Sequence, residues 1–108
     1  MPESKIQREI IRRLKFHPDV LFYTRMQSGR IGGFFHNTAG TPDLLALIKK
    51  DDGNIVALFL EVKRSGVKRL RYEQRKFFRS MEGIANVMCV VINDVSQLNK
   101  FIKECKNL

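Results

Sequence analysis

Acidic residues are scarce in this chain of 108 residues: 11 Asp and Glu stand against 20 Lys and Arg, a formal net charge of +9. So large a surplus costs a small domain self-repulsion, whereas clustered cations gain free energy by displacing counterions from a polyanion such as nucleic acid. Cysteine is scarce as well. Cys89 lies in an apolar run and Cys105 late in a helical pattern, which suits reduced core thiols rather than a disulfide, a zinc site or a nucleophile. The two histidines, His17 and His36, are too separate to suggest a metal pair. No apolar run approaches the ~20 residues that span a bilayer. The opening MPESKIQREI has no apolar signal-peptide core, so a cytoplasmic location is the default expectation. There is no repeat or low-complexity segment, and the length implies one domain, residues 1–108. With 44% hydrophobic residues, that domain has the material for a packed core.

What is present is a succession of periodic segments. Residues 4–16 read as an amphipathic helix with Ile6, Ile10 and Leu14 on one face, closed by His17-Pro18. Residues 20–26, β-branched and aromatic, read as a strand. Gln27 to Thr41 carries Gly29, Gly32, Gly33 and Gly40 and reads as a loop or loose hairpin, with Phe34 and Phe35 pinning it to the core or stacking on bases. The apolar runs Leu44–Ile48 and Ile55–Leu60 read as central strands, covered on both faces and joined as a hairpin. A helix over 70–82, with Leu70, Phe77 and Phe78 inward, a buried strand Val87–Ile92 and a helix capped by Asp94 and Gln97 complete the order α-β-β-β-α-β-α. The expected class is α/β, a mixed sheet flanked by helices.

Three charged groups sit in unusual company. Asp43 opens one central strand, and Glu61 and Lys63 end the next, two residues apart and therefore on one face. Carboxylates beside buried strands are costly unless a cation or hydrogen bonds compensate. A hard divalent ion such as Mg²⁺ prefers oxygen ligands and keeps exchangeable waters, and Lys63 would then orient a water or stabilise charge on a phosphate. The hairpin register supplies a check. In a regular ladder Asp43 and Glu61 share a face only if Lys50 stands opposite Asn54, making Asp51-Asp52-Gly53 a three-residue loop with Gly53 in the left-handed region. A two-residue Asp52-Gly53 turn places the carboxylates on opposite faces unless a bulge intervenes. Helical phase adds Glu3, in the middle of the first helix's apolar stripe if the helix reaches it, while Ser4 and Gln7 as a capping box would leave it outside. Gln74 interrupts the inward stripe of the second helix, either as a satisfied core amide or as part of a polar site.

Gly40-Thr41-Pro42-Asp43 followed by Glu61-Val62-Lys63 resembles the PD-(D/E)XK nuclease signature. The ordered set ESKIQREIIRRL, GTPDLLAL, LFLEVK and then Gln74 resembles the VRR-NUC family, the virus-type replication-repair nucleases, over nearly the whole chain, in a stand-alone minimal form such as phages encode. The resemblance implies a restriction-endonuclease-like core and Mg²⁺- or Mn²⁺-dependent phosphodiester hydrolysis leaving a 5′-phosphate. It makes Asp43 and Glu61 acidic metal ligands, the carbonyl of Val62 a backbone ligand and Lys63 the catalytic lysine. Glu3 matches the helix glutamate, direct or through water, with Glu9 the alternative under a shifted alignment, and Gln74 matches the family glutamine. Stand-alone members resemble Holliday-junction resolvases, homodimers acting on branched DNA.

The basic residues fall where such a site needs them. Arg64, Lys68, Arg69, Arg71, Arg75 and Arg79 cluster after Lys63, the last three on one helical face, and suit backbone binding to branched or duplex DNA. Arg25 and Arg30 flank the glycine-rich loop. A symmetric homodimer would give two active sites for a four-way junction. Flap, nick or nonspecific cleavage, and a nonenzymatic DNA-binding module on the same fold, stand as alternatives.

Overall fold

The computed structural model describes residues 1–26 and 39–108, and of the segment between them only the backbone pairing of two short strands. Helix α1 runs Glu3–Phe16, one residue longer than its periodicity predicts, and buries Ile6, Ile10 and Leu14. Pro2 is its N-cap, so Glu3 lies inside the first turn and Ser4 is not the cap. His17, ahead of Pro18, is extended and ends the helix as expected. Its ring Nδ1 accepts the Asp19 N–H at 3.1 Å, an ordinary turn contact.

Strand β1 (Val20–Arg25) is an edge strand, bulged between Val20 and Phe22. The loose hairpin is present as β2 (Arg30–Ile31) paired antiparallel with β3 (Phe34–Phe35). The side chains of Arg30, Phe34, Phe35 and His36 lie outside the described residues. Strands β4 (Leu44–Lys49) and β5 (Ile55–Val62) pair antiparallel, with Leu44 opposite Leu60 and Lys49 opposite Ile55. That register requires the three-residue loop: the Lys50 N–H donates to Asn54 O at 2.8 Å, and Gly53 takes φ +89°. Helix α2 (Tyr72–Met81) crosses to β6 (Val87–Ile92), which lies parallel to β5. The sheet order is β1-β4-β5-β6, a four-stranded mixed sheet with helices, and the chain is an α/β protein.

One face of the sheet carries the core. Leu44, Ala46, Ile48, Val56, Leu58, Leu60 and Val62 pack against α1 and α3 (Leu98–Lys106), each fully buried Leu or Ile contributing about 1.5–3 kcal/mol. The other face is less well covered than the apolar runs predict. Leu45, Leu47, Ala57 and Phe59 are only half-buried on the face over which α2 lies, which it meets through an edge-on contact of Phe77 with Phe59 at 5.2 Å. Helix α2 also begins later than predicted, leaving Leu70 in the preceding loop. The last helix is preceded by a 3-10 turn, Val95–Gln97, whose cap is Asp94 accepting the Ser96 N–H. Gln97 reaches back to the Asn93 N–H rather than to that of Asp94, so the expected capping box is displaced by one residue. Cys89 and Cys105 are free thiols, pushed by burial to about 11 and about 12; Cys105 is in the core as expected, whereas Cys89 is only half-buried, on the less covered face of the sheet. Among the described residues no helix is long and apolar enough to cross a membrane.

Candidate active site

The hairpin register puts Asp43, the residue before β4, opposite Glu61 near the end of β5, on the face that α2 covers. Asp43 Oδ2 accepts the Val62 N–H at 2.8 Å, so the carboxylate closes the ladder just beyond the last paired residues. Glu61 is 4% exposed, and its two oxygens differ. Oε1 accepts the Gln74 side-chain N–H at 2.5 Å, whereas Oε2 is buried with no hydrogen-bond partner among the described residues. Lys63 continues on the same face, its Nζ 4.0 Å from Glu61 Oε1 and donating to Gln74 Oε1 at 3.0 Å. Gln74 Oε1 also accepts the Arg71 N–H at 2.8 Å, which sets the first turn of α2. The buried amide is thus both satisfied and part of the polar cluster.

The electrostatics follow from burial. Burial raises the Glu61 carboxyl to about 7, and the neighbouring Asp43 charge adds to this while Lys63 opposes it. Asp43 is raised in the same direction, by burial and by the charge of Glu3, against the lowering effect of the Val62 N–H and Lys63. Glu3 itself is exposed at the start of α1, near enough for its charge to act on both carboxyls. Glu9 lies elsewhere, paired with Arg12 and, at 3.7 Å, with Arg13. The helix carboxylate that shares the field of Asp43 and Glu61 is therefore Glu3.

These groups suit a divalent cation. An unpartnered buried oxygen facing a second carboxylate is a costly arrangement that a hard cation relieves, and Mg²⁺ takes one or two carboxylates and keeps several waters. Among the described residues no group of three or more His, Cys, Asp or Glu side chains is gathered into a ready cage. Asp43 and Glu61 are the two carboxylates drawn together, with Glu3 at the margin.

Two neighbours received no structural role from the sequence. Gly40 has φ +86°, and a Cβ there would lie 2.3 Å from the Glu73 carbonyl oxygen, so the segment leading to Asp43 packs directly on α2. Its place in a Gly-Thr-Pro-Asp run was the available signal. Asn93, 7% exposed, donates its side-chain N–H to Val67 O at 2.9 Å and ties the basic loop to the end of β6. A polar residue ending an apolar strand was the clue. Arg64, Lys68 and Arg69 are exposed on that loop, and Arg71, Arg75 and Arg79 are exposed at and along α2. Arg75 spends one guanidinium N–H on Leu70 O at 2.7 Å. No family profile, curated protein or solved structure matches the chain.

Proposed function

We propose that the chain is a metal-dependent DNA endonuclease of the VRR-NUC type on a PD-(D/E)XK core, a cytoplasmic homodimer resolving four-way junctions. The observation that carries this reading is the opposition of Asp43 and Glu61 beside Lys63, with one Glu61 oxygen buried and, among the described residues, unpartnered. Asp43 and Glu61 would hold Mg²⁺ or Mn²⁺, with the Val62 carbonyl as a backbone ligand and Glu3 acting through water. The ion supplies Lewis-acid charge beside the scissile phosphate.

The rest belongs to the chain. Gln74 fixes the Lys63 ammonium at the rim of the carboxylate pair, where it stabilises negative charge building on a phosphate oxygen as water attacks phosphorus. The 3′ oxygen leaves and the 5′-phosphate remains. Exposed Arg64, Lys68, Arg69, Arg71 and Arg79 neutralise flanking phosphates and position the substrate. The test is a cleavage panel of four-way junction, flap, single-stranded and linear DNA with Mg²⁺ or Mn²⁺. Paired nicks in the junction are expected. Asp43→Asn, which keeps an acceptor for the Val62 N–H, should bind DNA and not cut it. No cleavage of any substrate, or undiminished cleavage by Asp43→Asn, overturns the reading.

A further inference from the structure

Tyr72 is the first residue of α2 and is 66% exposed, although its ring is large and apolar. It stands between two surface cavities. One, about 460 Å³, is lined by Tyr72, Arg75, Lys76, Arg79 and Ser80. The other, about 470 Å³, borders Ala39, Glu73 and Phe77 and shares Tyr72, Lys76 and Ser80 with the first. Both are of the size that holds small ligands, ~300–1,000 Å³. The first cavity joins an aromatic face to three cations, and among the described residues neither Lys76 nor Arg79 has an acidic partner. Tyr72 and Arg79 are about 10 Å apart along the helix. That combination, a stacking surface followed by a track of positive charge, is how proteins hold unpaired nucleotides. Duplex bases are stacked on one another and cannot use the ring. Tyr72 and Gln74 share the first turn of α2 but leave it in roughly opposite directions, the amide toward Glu61 and Lys63 and the ring toward solvent.

We propose that Tyr72, with Lys76 and Arg79, is a stacking site for an unpaired nucleotide on the outer face of the helix whose inner face, through Gln74, holds the candidate catalytic cluster. It deepens the nuclease reading and rests on it for the role of that cluster: the preferred substrate is DNA with an unpaired base near the cut, at a branch point or in a single strand. The base lies on the Tyr72 ring, and its flanking phosphates run along Lys76 and Arg79.

The test is binding without metal, in EDTA at fixed salt, by the full chain and by Tyr72→Ala and Tyr72→Phe. Probes are a single strand carrying one 2-aminopurine and a blunt duplex of similar length. Tyr72→Ala should weaken single-strand binding roughly five- to hundred-fold and leave duplex binding unchanged. Quenching of 2-aminopurine should be seen with the native chain and Tyr72→Phe and be lost in Tyr72→Ala. Equal losses on both probes, or no loss on either, overturns the proposal. A chain that quenches but never cuts with Mg²⁺ or Mn²⁺ sinks the nuclease reading alone. Cutting that is indifferent to Tyr72, with no quenching, sinks the stacking site alone.

Discussion

Glu61 and Gln74 meet in a buried hydrogen bond of 2.5 Å that ties the end of β5 to the first turn of α2. Gln74 is the one buried residue of α2, so the helix is seated on the sheet through a polar contact as much as through the half-buried Phe77, Phe78 and Met81. The same amide holds Lys63 through its other end. Seating the helix and positioning the lysine are therefore one set of contacts.

Replacing Gln74 by Ala should break both at once. Glu61 then loses its side-chain donor, and a buried acceptor left unsatisfied costs about 1–3 kcal/mol. For a chain of this size that corresponds to a melting point several degrees lower. Released Lys63 should lower the rate of cleavage at least about ten-fold, with substrate affinity little changed because the exposed arginines remain. A melting curve and a separation of kcat from KM check this. A variant as stable and active as the native chain would deny Gln74 both roles.

Glu61 gives a pH dependence whose sign is fixed. Its ordinary value of 4.5 applies to the unfolded chain, and burial raises it to about 7 in the folded one. Between those values the folded state keeps a proton that the unfolded state has released. Stability therefore falls as pH rises through this window and levels off above it, each pH unit costing about 1.4 kcal/mol at most. Asp43, raised too, acts in the same direction. Glu61→Gln places an amide where the unpartnered oxygen lies, so its melting point should vary less over the same range and exceed the native one at pH 8. Magnesium should raise the native melting point at pH 8 and leave that of Glu61→Gln nearly unmoved. Parallel pH profiles for the two proteins would remove the assignment.

Much of this site was legible in the sequence because strand parity is rigid. Once Lys50 faces Asn54 across the Asp51-Asp52-Gly53 loop, Asp43 and Glu61 must share a face, and Gly53 marks that loop. Helical spacing likewise found Ile6, Ile10, Leu14 and the inward position of Gln74. Coverage was less legible. An apolar strand shows that its side chains prefer burial, and it does not reveal how fully the ten-residue helix over their outer face covers them. Leu70 fits the apolar stripe of α2, yet the helix starts at Tyr72 because Gln74 bonds back to the Arg71 N–H, a local cap that apolar spacing does not encode. Tyr72 lies off the inward stripe of Leu70, Phe77 and Phe78, and that stripe alone gives an outward aromatic no role.

Gly40 offers a test of how tightly α2 must approach the strand end. Its φ of +86° disfavours any side chain, and a Cβ would collide with the Glu73 carbonyl carbon at 2.5 Å as well as with its oxygen. Neither atom is the tip of a flexible group, so α2 or the Thr41-Pro42 segment must move. Gly40→Ala should cost at least about 1–3 kcal/mol and displace Asp43 from Glu61. The melting point should fall, and the magnesium-dependent rise in melting point should shrink with it. Gly66, where a Cβ meets nothing within 4 Å, serves as the control with its own positive φ of +82°. Gly66→Ala should show the backbone penalty alone and keep its magnesium response. If the two variants behave alike, close packing at Gly40 does not position the site.

The basic surface makes a prediction about salt. Phosphate contacts release counterions, so the logarithm of duplex affinity should fall linearly with the logarithm of salt concentration, with a slope of about −0.9 per phosphate neutralised. Lys68 and Arg69 are exposed on a loop that Asn93 ties down, and Arg71 and Arg79 are exposed at the start of and along the helix that follows. Removing Arg79 should weaken binding across sequences and reduce the slope by about 1. Arg75 is already engaged with Leu70 O, so its removal should reduce the slope less and lower the melting point more. Arg12, engaged with Glu9 on the other side of α1, should leave the slope unchanged when replaced by Ala. Titrations of Arg79→Ala, Arg75→Ala and Arg12→Ala at four salt concentrations separate these cases. Equal slopes for all three would mean that DNA does not lie along α2, and the path of the substrate would have to be drawn across another face.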